Sequence, residues 1–555
     1  MASAGLLKVL HSGLQDERLL PPKGKPKISD FQKLFVKGGR FTTEWYRVDF
    51  DNAPAFGNTT RCTIPRRGHL VTRAFLMVTL PDIRAPQLAA RAAAAAAGKQ
   101  FAGPTFGWTN SIGHALVSQA QVTIGGTVID TIDGQLMEVL DEFHTPLEKV
   151  TAVNRMLGRK DSGFTPKSNG WETANQEVAV PLPFWFSRGD PALALPIDAI
   201  GAEPVQIAVT LNSFQNLYVT TSRIDLTAGP TTPGDSNRTY ASQSDMKPNN
   251  VLDPVTGTCV VPTDATNMMP AMDSSKFYVL DSSGSEVCGL NGNPAKCVTV
   301  SVIEDISMPS AYKIQDAYLL LEYVYIDRPE ANRLRIGDLS YPIVQHYKIN
   351  PFDSRGLTNA RVLMRIPNLT RELYFFVHRK DADLLNAPFL ATRDLSGLYI
   401  PDASGVGVVA PWWPDARGLG TEVFTTLIPA YSTIDSEPIA SLALIYEGRF
   451  IRYASDTPAL FRSIIPTMEQ RKTPWHNKYY YHIPFGTNHE EFGVSNPMGH
   501  ANLDKVQKVE LALEFQQPRG ANRSTMLPDY TVLIWAETYN VLRVYGGRAG
   551  LLFGY

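Results

Sequence analysis

From residue 41 onward the chain breaks into short runs rich in β-branched and aromatic residues, residues 42–50, 69–80 and 115–124 among them, each ended by Gly, Pro or Asn or by a nearby turn residue. Runs of that length and make-up read as strands. Gln121-Val122-Thr123-Ile124 and Thr127-Val128-Ile129-Asp130 flank Gly125-Gly126, and two glycines supply the positive φ angles of a tight turn, so a hairpin is predicted there. In residues 316–327 the side chains of Tyr318, Leu319, Leu320, Leu321, Tyr323, Val324, Tyr325 and Ile326 make a run apolar enough to be covered on both faces. The second half repeats this texture in residues 339–349, 361–366, 373–379, 440–446, 509–515 and 530–545. Val509, Leu511, Leu513 and Phe515 alternate with Glu510, Ala512 and Glu514, the period of two of a half-buried strand.

Helical periodicity is rarer. Leu136, Val139, Leu140 and Phe143 recur at i, i+3, i+4 and i+7, which predicts a short helix starting near Gly134. Thr145-Pro146-Leu147-Glu148 then has the form of a capping box with Pro at the first helical position, so a second helix is expected with Leu147, Val150, Val153 and Leu157 inward. The Ala-rich residues 89–97 have helix propensity but no large apolar anchor beyond the first turn, and read as a surface insertion between strands. Residues 216–309 are a polar excursion far longer than a connecting loop, the kind of insertion that carries exposed surface. Many short strands in each half predict two β-sandwiches or barrels, with the break at Asp327-Arg328-Pro329.

Composition agrees with that division. A chain of 555 residues exceeds what one core of roughly 250 to 300 residues can serve, and 41 glycines with 40 prolines favour frequent turns. A net charge of −2 offers no global attraction for nucleic acid. Locally, though, Lys8, Arg18, Lys23, Lys25, Lys27, Lys33, Lys37 and Arg40 outnumber Asp16, Glu17 and Asp30, making residues 1–40 a basic arm. Cys62, Cys259, Cys288 and Cys297 are too sparse for a disulfide framework or a paired zinc motif and read as reduced thiols; for Cys288 and Cys297, which share a Gly-rich loop, pairing or a share in holding a metal is left open. Residues 1–13 lack the apolar stretch of a signal peptide, and no uncharged apolar run approaches the roughly 20 residues of a span, so folding in solution is expected.

The chain has no Gly-rich phosphate loop, no GxSxG elbow and no HExxH helix. His476, His482, His489, Glu490 and Glu491 include the donor types of a zinc or non-haem iron site, but their spacing is irregular, and surface histidines are expected instead. Asp141-Glu142 falls on the polar side of the predicted helix, where a solvated face accounts for it. Phe184-Trp185-Phe186, Trp412-Trp413 and Tyr479-Tyr480-Tyr481 are expected in core or interface rather than stacked on bases or sugars. Sequons stand at Asn58, Asn237, Asn368 and Asn522, with glycosylation left open. The rival to a purely structural chain is a cytosolic jelly-roll metalloenzyme or a glycan-binding β-sandwich.

Several segments resemble one family, the double jelly-roll major capsid proteins of nucleocytoplasmic large DNA viruses. Pro26-Lys27-Ile28, Phe31, Phe35, Phe41 and Glu44 are similar to its opening. Ile64-Pro65-Arg66-Arg67-Gly68-His69-Leu70 with Leu80-Pro81 resembles its Ile-x-Arg-x-Gly-Asp-Leu strand, except that His69 stands where Asp is usual. Trp108-Thr109-Asn110-Ser111-Ile112-Gly113-His114 and Ile124-Gly125-Gly126-Thr127-Val128-Ile129-Asp130 are the most specific matches. Leu182-Pro183-Phe184-Trp185-Phe186-Ser187-Arg188, Ala194-Leu195-Pro196-Ile197, Asn496-Pro497-Met498-Gly499-His500-Ala501-Asn502-Leu503 and Tyr539-Asn540-Val541-Leu542-Arg543 continue the series in order, while residues 412–482 have no counterpart.

The resemblance implies an all-β chain of two tandem eight-stranded jelly rolls, with a few short helices in inserted loops and an extended N-terminal arm. The implied limits are 1–40 for the arm, 41–327 for the first jelly roll with its insert at about 216–309, and 328–555 for the second. It implies a homotrimer that tiles an icosahedral capsid, with neighbouring capsomers and minor capsid and penton proteins as partners. The insert would form an outer tower, and the arm would face inward toward minor proteins or an inner viral membrane. It implies no catalytic residues, no cofactor, no metal and no sequence-specific nucleic acid, in a virion assembled in the host cytoplasm.

Overall fold

A computed structural model describes residues 39–83, 105–159, 177–221, 312–380, 437–469, 471–474, 478–486, 499–516 and 530–554, with short strands between 224 and 302 and between 399 and 409 and a few single residues elsewhere. The basic arm up to residue 38, most of residues 89–97, Cys288, Cys297, Asn237, Asn522, Trp412-Trp413, His476, His489, Glu490 and Glu491 lie outside the described residues.

The first half forms β1 (Phe41–Asp49), β2 (Thr59–Thr63), β3 (Leu70–Thr79), β4 (Thr105–Trp108), β5 (Val117–Ile124), β6 (Thr127–Ile132), β7 (Glu177–Pro181), β8 (Val205–Leu211) and β9 (Tyr218–Thr221). Then come β10 (Ile224–Ala228), β11 (Arg238–Thr239), β12 (Val251–Leu252), β13 (Cys259–Val260), β14 (Phe277–Tyr278), β15 (Val298–Val302) and β16 (Asp316–Ile326). Two four-stranded sheets make the sandwich, β1-β16-β3-β7 and β2-β8-β5-β6. Counting only these eight strands along the chain, the orders are 1-8-3-6 and 2-7-4-5, which is the jelly roll. The predicted polar excursion falls between the seventh and eighth strands, and within it β11-β10-β15 and β13-β12-β14 form small sheets of their own.

The second half forms β17 (Leu339–Lys348), β18 (Phe352–Asp353), β19 (Asn359–Met364), β20 (Leu369–Arg379), β21 (Tyr399–Pro401), β22 (Gly407–Val409), β23 (Ile439–Tyr446), β24 (Phe450–Ser455) and β25 (Tyr480–Pro484). It ends with β26 (Ala501–Asn502), β27 (Val509–Phe515), β28 (Tyr530–Tyr545) and β29 (Arg548–Leu551). Its principal sheets run β17-β28-β20-β25 and β19-β27-β23-β24, the same 1-8-3-6 and 2-7-4-5 orders. The fold is therefore all-β, a jelly roll built twice.

Local chemistry explains most of these elements. Gly125 and Gly126 take φ of 58° and 86°, and Ile124 pairs with Thr127 across them, as the hairpin requires. Helix α1 (Ile112–Leu116) leads into β5, and α2 (Gly134–His144) starts where expected because Asp133 accepts a hydrogen bond from the Leu136 amide at 2.7 Å. Leu136, Val139, Leu140 and Phe143 are buried on one face of α2.

Two expectations, the Thr145 cap and the cover of β16, are corrected here. Thr145 does not cap the next helix: its hydroxyl bonds Asp141, a 3₁₀ turn over Leu147–Lys149 intervenes, and α3 (Val150–Leu157) begins later, leaving Leu147 60% exposed. Strand β16 ends at Ile326, where Asp327-Arg328-Pro329 is expected to break it; beyond that expectation, Asp327 caps α4 (Arg328–Ile336), with Pro329 suited to its first turn. Strand β16 is covered on one face only: Ala317, Leu319, Leu321 and Tyr323 are buried, whereas Tyr318 and Leu320 are partly open. The aromatic triplets Phe184-Trp185-Phe186 and Tyr479-Tyr480-Tyr481 are core, as expected.

Candidate functional site

Helix α2 lies against the outer face of the β17-β28-β20-β25 sheet, so one jelly roll covers the other. The Phe143 ring sits 5.8 Å from Tyr374 and 5.6 Å from His482, and His144 Nε2 is 3.0 Å from the Tyr374 hydroxyl. Around these rings runs a seam of buried charge, organised by carboxylates that accept several cationic donors each.

Glu138 is fully buried, accepting from Arg159 at 2.6 Å, Lys478 at 2.6 Å and the Ser111 hydroxyl at 3.1 Å, with His114 Nδ1 at 2.7 Å. Glu142, one turn on, takes Lys478 at 3.0 Å and Lys472 at 3.1 Å. Burial alone pushes both carboxyls up, but Arg159 and Lys478 outweigh it at Glu138, which is held well below the usual range. At Glu142 burial is outweighed by Lys478 and Lys472, which bring it to about 2.

On the opposite wall, Glu372 accepts both guanidinium nitrogens of Arg471 at 2.8 and 3.0 Å and the Tyr374 hydroxyl at 2.6 Å, and lies 2.6 Å from His482 Nε2. Burial followed by the Arg471 charge lowers His482 to about 4. Glu537 accepts Arg188 at 2.6 Å from the first jelly roll and Arg371 at 2.7 Å from the second, and these cations overcome burial to hold it below the usual range. Arg188 also lies 2.8 Å from His346 Nε2; since guanidinium only donates, Nε2 accepts and the imidazole proton sits on Nδ1, 3.1 Å from Asp130. Lys348 and the Trp535 indole N–H reach Asp133 at 2.7 and 3.1 Å.

The arrangement suits a clamp. Its carboxylates are enclosed and engaged by fixed donors, so they lack the open approach and free lone pair that proton transfer to a substrate requires. Breaking one partner of such a network leaves an uncompensated buried charge, which costs about 3–5 kcal/mol.

The expectation of a solvated Asp141-Glu142 pair is overturned: Glu142 is buried by the second jelly roll, and Asp141 pairs with Arg159 at 2.6 Å. His482 is not a surface histidine but wholly buried beside Glu372. Among the described residues no three His, Cys, Asp or Glu gather as a metal site requires. Asn58 is exposed, Asn368 is half-buried, and Cys62 is buried, its thiol raised to about 12 by burial. Glu372 and Glu537 belong to no spaced motif, yet the sequence carries a signal for both: each is a lone carboxylate inside an aromatic strand, Leu369–Arg379 and Tyr530–Tyr545.

Two jelly rolls in tandem with identical strand order, α2 of the first packed on a sheet of the second, define a double-jelly-roll class of protein. Residues 29–249 match the family model "Major capsid protein N-terminus" and residues 331–550 match "Large eukaryotic DNA virus major capsid protein". The chain belongs to the major capsid proteins of large eukaryotic DNA viruses, a family of virion capsid components and not of enzymes. It is 27% identical to the major capsid protein of Phaeocystis pouchetii virus over 99% of each chain. It is 28% identical to capsid protein 1 of Acanthamoeba polyphaga mimivirus over 39% of this chain, and spans only 36% of that one. It likewise spans 39% of the mimivirus probable capsid protein 4. In fold it is similar to the PBCV-1 capsid chain (TM-score 0.60, 16% identity, 95% of this chain and 100% of that) and to the Faustovirus major capsid protein (TM-score 0.57, 12% identity, 98% and 97%).

Proposed function

We propose that three copies of this chain close into a pseudo-hexagonal capsomer and that capsomers tile an icosahedral shell. The observation that carries this reading is the doubled strand order, 1-8-3-6 with 2-7-4-5 in each half, which supplies two blocks of one architecture per chain. Three chains then present six such blocks, the number a hexagonal lattice needs around each position. A tile must hold its shape while many weak contacts form, and the buried seam serves that by fixing one jelly roll against the other.

On this reading residues 1–40 are an arm, 41–327 and 328–555 are the two blocks, and the insert at about 216–309 forms the outer surface. The arm's eight basic against three acidic residues suit an inward position beside minor capsid proteins or an anionic membrane. Light scattering on the purified full chain tests the capsomer: three times the chain mass is expected at micromolar concentration, and a monomer there overturns it. Removing residues 1–38 is expected to leave the trimer and abolish shell assembly; loss of the trimer would place the arm inside the capsomer.

A further inference from the structure

The 1-8-3-6 sheet meets two different fates in the two jelly rolls. In the second, the outer face of β17-β28-β20-β25 is shut: Tyr374, Tyr480, His482 and Trp535 are all buried beneath α2 and its surroundings. In the first, the corresponding face of β1-β16-β3-β7 is open among the described residues. Register sets Leu320 opposite Phe75 and Tyr318 opposite Met77, all four only half-buried, and the Trp45 ring, 43% exposed, lies 5.8 Å from Phe75. At its margin the Arg47 guanidinium sits 4.0 Å over Tyr318 while bonding Asp316 at 2.9 Å, and Arg73 lies 3.6 Å from Glu322. An aromatic and aliphatic centre with an Arg-carboxylate rim is the anatomy of a protein interface.

The cover has a counterpart as well. Helix α2 occupies the connection between the fifth and sixth strands of the first jelly roll, β6 to β7; in the second, the same connection, β24 to β25, carries a helical stretch, π over Leu460–Ile464 and then α5 (Ile465–Met468). Its Phe461 is buried at home, but Ile464 is 49% and Met468 75% exposed. Each chain thus has two such faces and two such covers, and joins one of each internally.

We propose that the remaining cover, residues 460–468, docks on the remaining face, around Trp45, Phe75, Met77, Tyr318 and Leu320, of a second copy of this chain. The contact between copies repeats the one within the chain, with apolar Ile464 and Met468 replacing the charged surface of α2. It is head-to-tail, the type of contact that closes into a ring. The inference rests on the capsomer reading and names the surfaces that build it.

The test places p-benzoylphenylalanine at position 45 of the full chain and irradiates it. A covalent dimer on a denaturing gel is expected, with the cross-linked peptide drawn from residues 457–469. In parallel, Met468→Arg is expected to lose the trimer peak at micromolar concentration while keeping the circular dichroism spectrum of the folded chain. Wild-type trimers whose position-45 cross-links fall on another segment, or a Met468→Arg trimer as stable as wild type, overturn the assigned surfaces and leave the capsomer standing. A monomeric wild-type chain overturns both.

Discussion

Glu138 shows how much can depend on one side chain. Its carboxylate is enclosed and engaged by Arg159, Lys478, His114 and Ser111, two of which are formal cations with almost no solvent exposure of their own. Glu138→Gln keeps the shape and removes the charge, leaving those cations short of a partner. The expected loss is about 3–5 kcal/mol. Arg335 and Asp198 form a pair of similar length, 2.7 Å, but Arg335 is half exposed, and Arg335→Ala is expected to cost under about 1 kcal/mol. Thermal melting of the two variants beside wild type measures the contrast. Equal, small shifts would mean that the seam contributes little and that the jelly rolls are held by apolar contact alone. Few of these residues were readable beforehand, since ion pairs such as Lys478 with Glu138 join positions 340 apart, and no local pattern links them.

At the level of elements, α2 depends on a close approach. A Cβ added to Gly134 would stand closer than 3 Å to the carbonyl oxygens of His114 and Val117, which are backbone atoms and cannot swing aside. Gly134→Ala is therefore expected to cost about 3 kcal/mol and to shift the helix that carries Glu138 and Glu142. Gly126, with φ of 86° and no neighbour within reach, makes the comparison: Gly126→Ala should cost about 1 kcal/mol of backbone strain. Melting curves rank the two, and a Gly134→Ala variant as mild as Gly126→Ala would show that α1 and α2 yield easily. The same helix marks the limit of sequence reading. Strands and the start of α2 were legible because alternation, paired glycines and the 3.6-residue period are local signals. Glu142 was misread because a helix viewed alone divides into a core face and a solvent face, and nothing nearby reveals that a second sandwich covers the polar side. Helix α4 was missed although Asp327 and Pro329 are a start signal, because a Pro after a strand also reads as a stop.

For the whole molecule the seam predicts a two-stage response to acid. His482 is held down to about 4 by burial and by Arg471, so the folded chain leaves it unprotonated while the unfolded chain takes up a proton near 6.5. Stability linked to it is complete above about pH 6.5 and falls as pH drops toward 4, by about 3 kcal/mol in total. Carboxylates act lower. Glu142 is brought to about 2, and Glu138, Glu372 and Glu537 are also depressed, so their contribution is intact above the unfolded value of about 4.3 and drains away as pH falls below it. Melting temperature should thus decline gently from pH 6.5 to 4.5 and steeply beneath. Replacing the imidazole by His482→Gln, which cannot gain a proton, should flatten the first decline and spare the second. A wild-type profile level down to pH 4 would sink the assignment to His482. Because Lys478 and Arg188 bridge the two jelly rolls through these carboxylates, the steep phase should also loosen one roll from the other. Rising hydrogen exchange at β6 and β17 before β5 and β27 would register that separation.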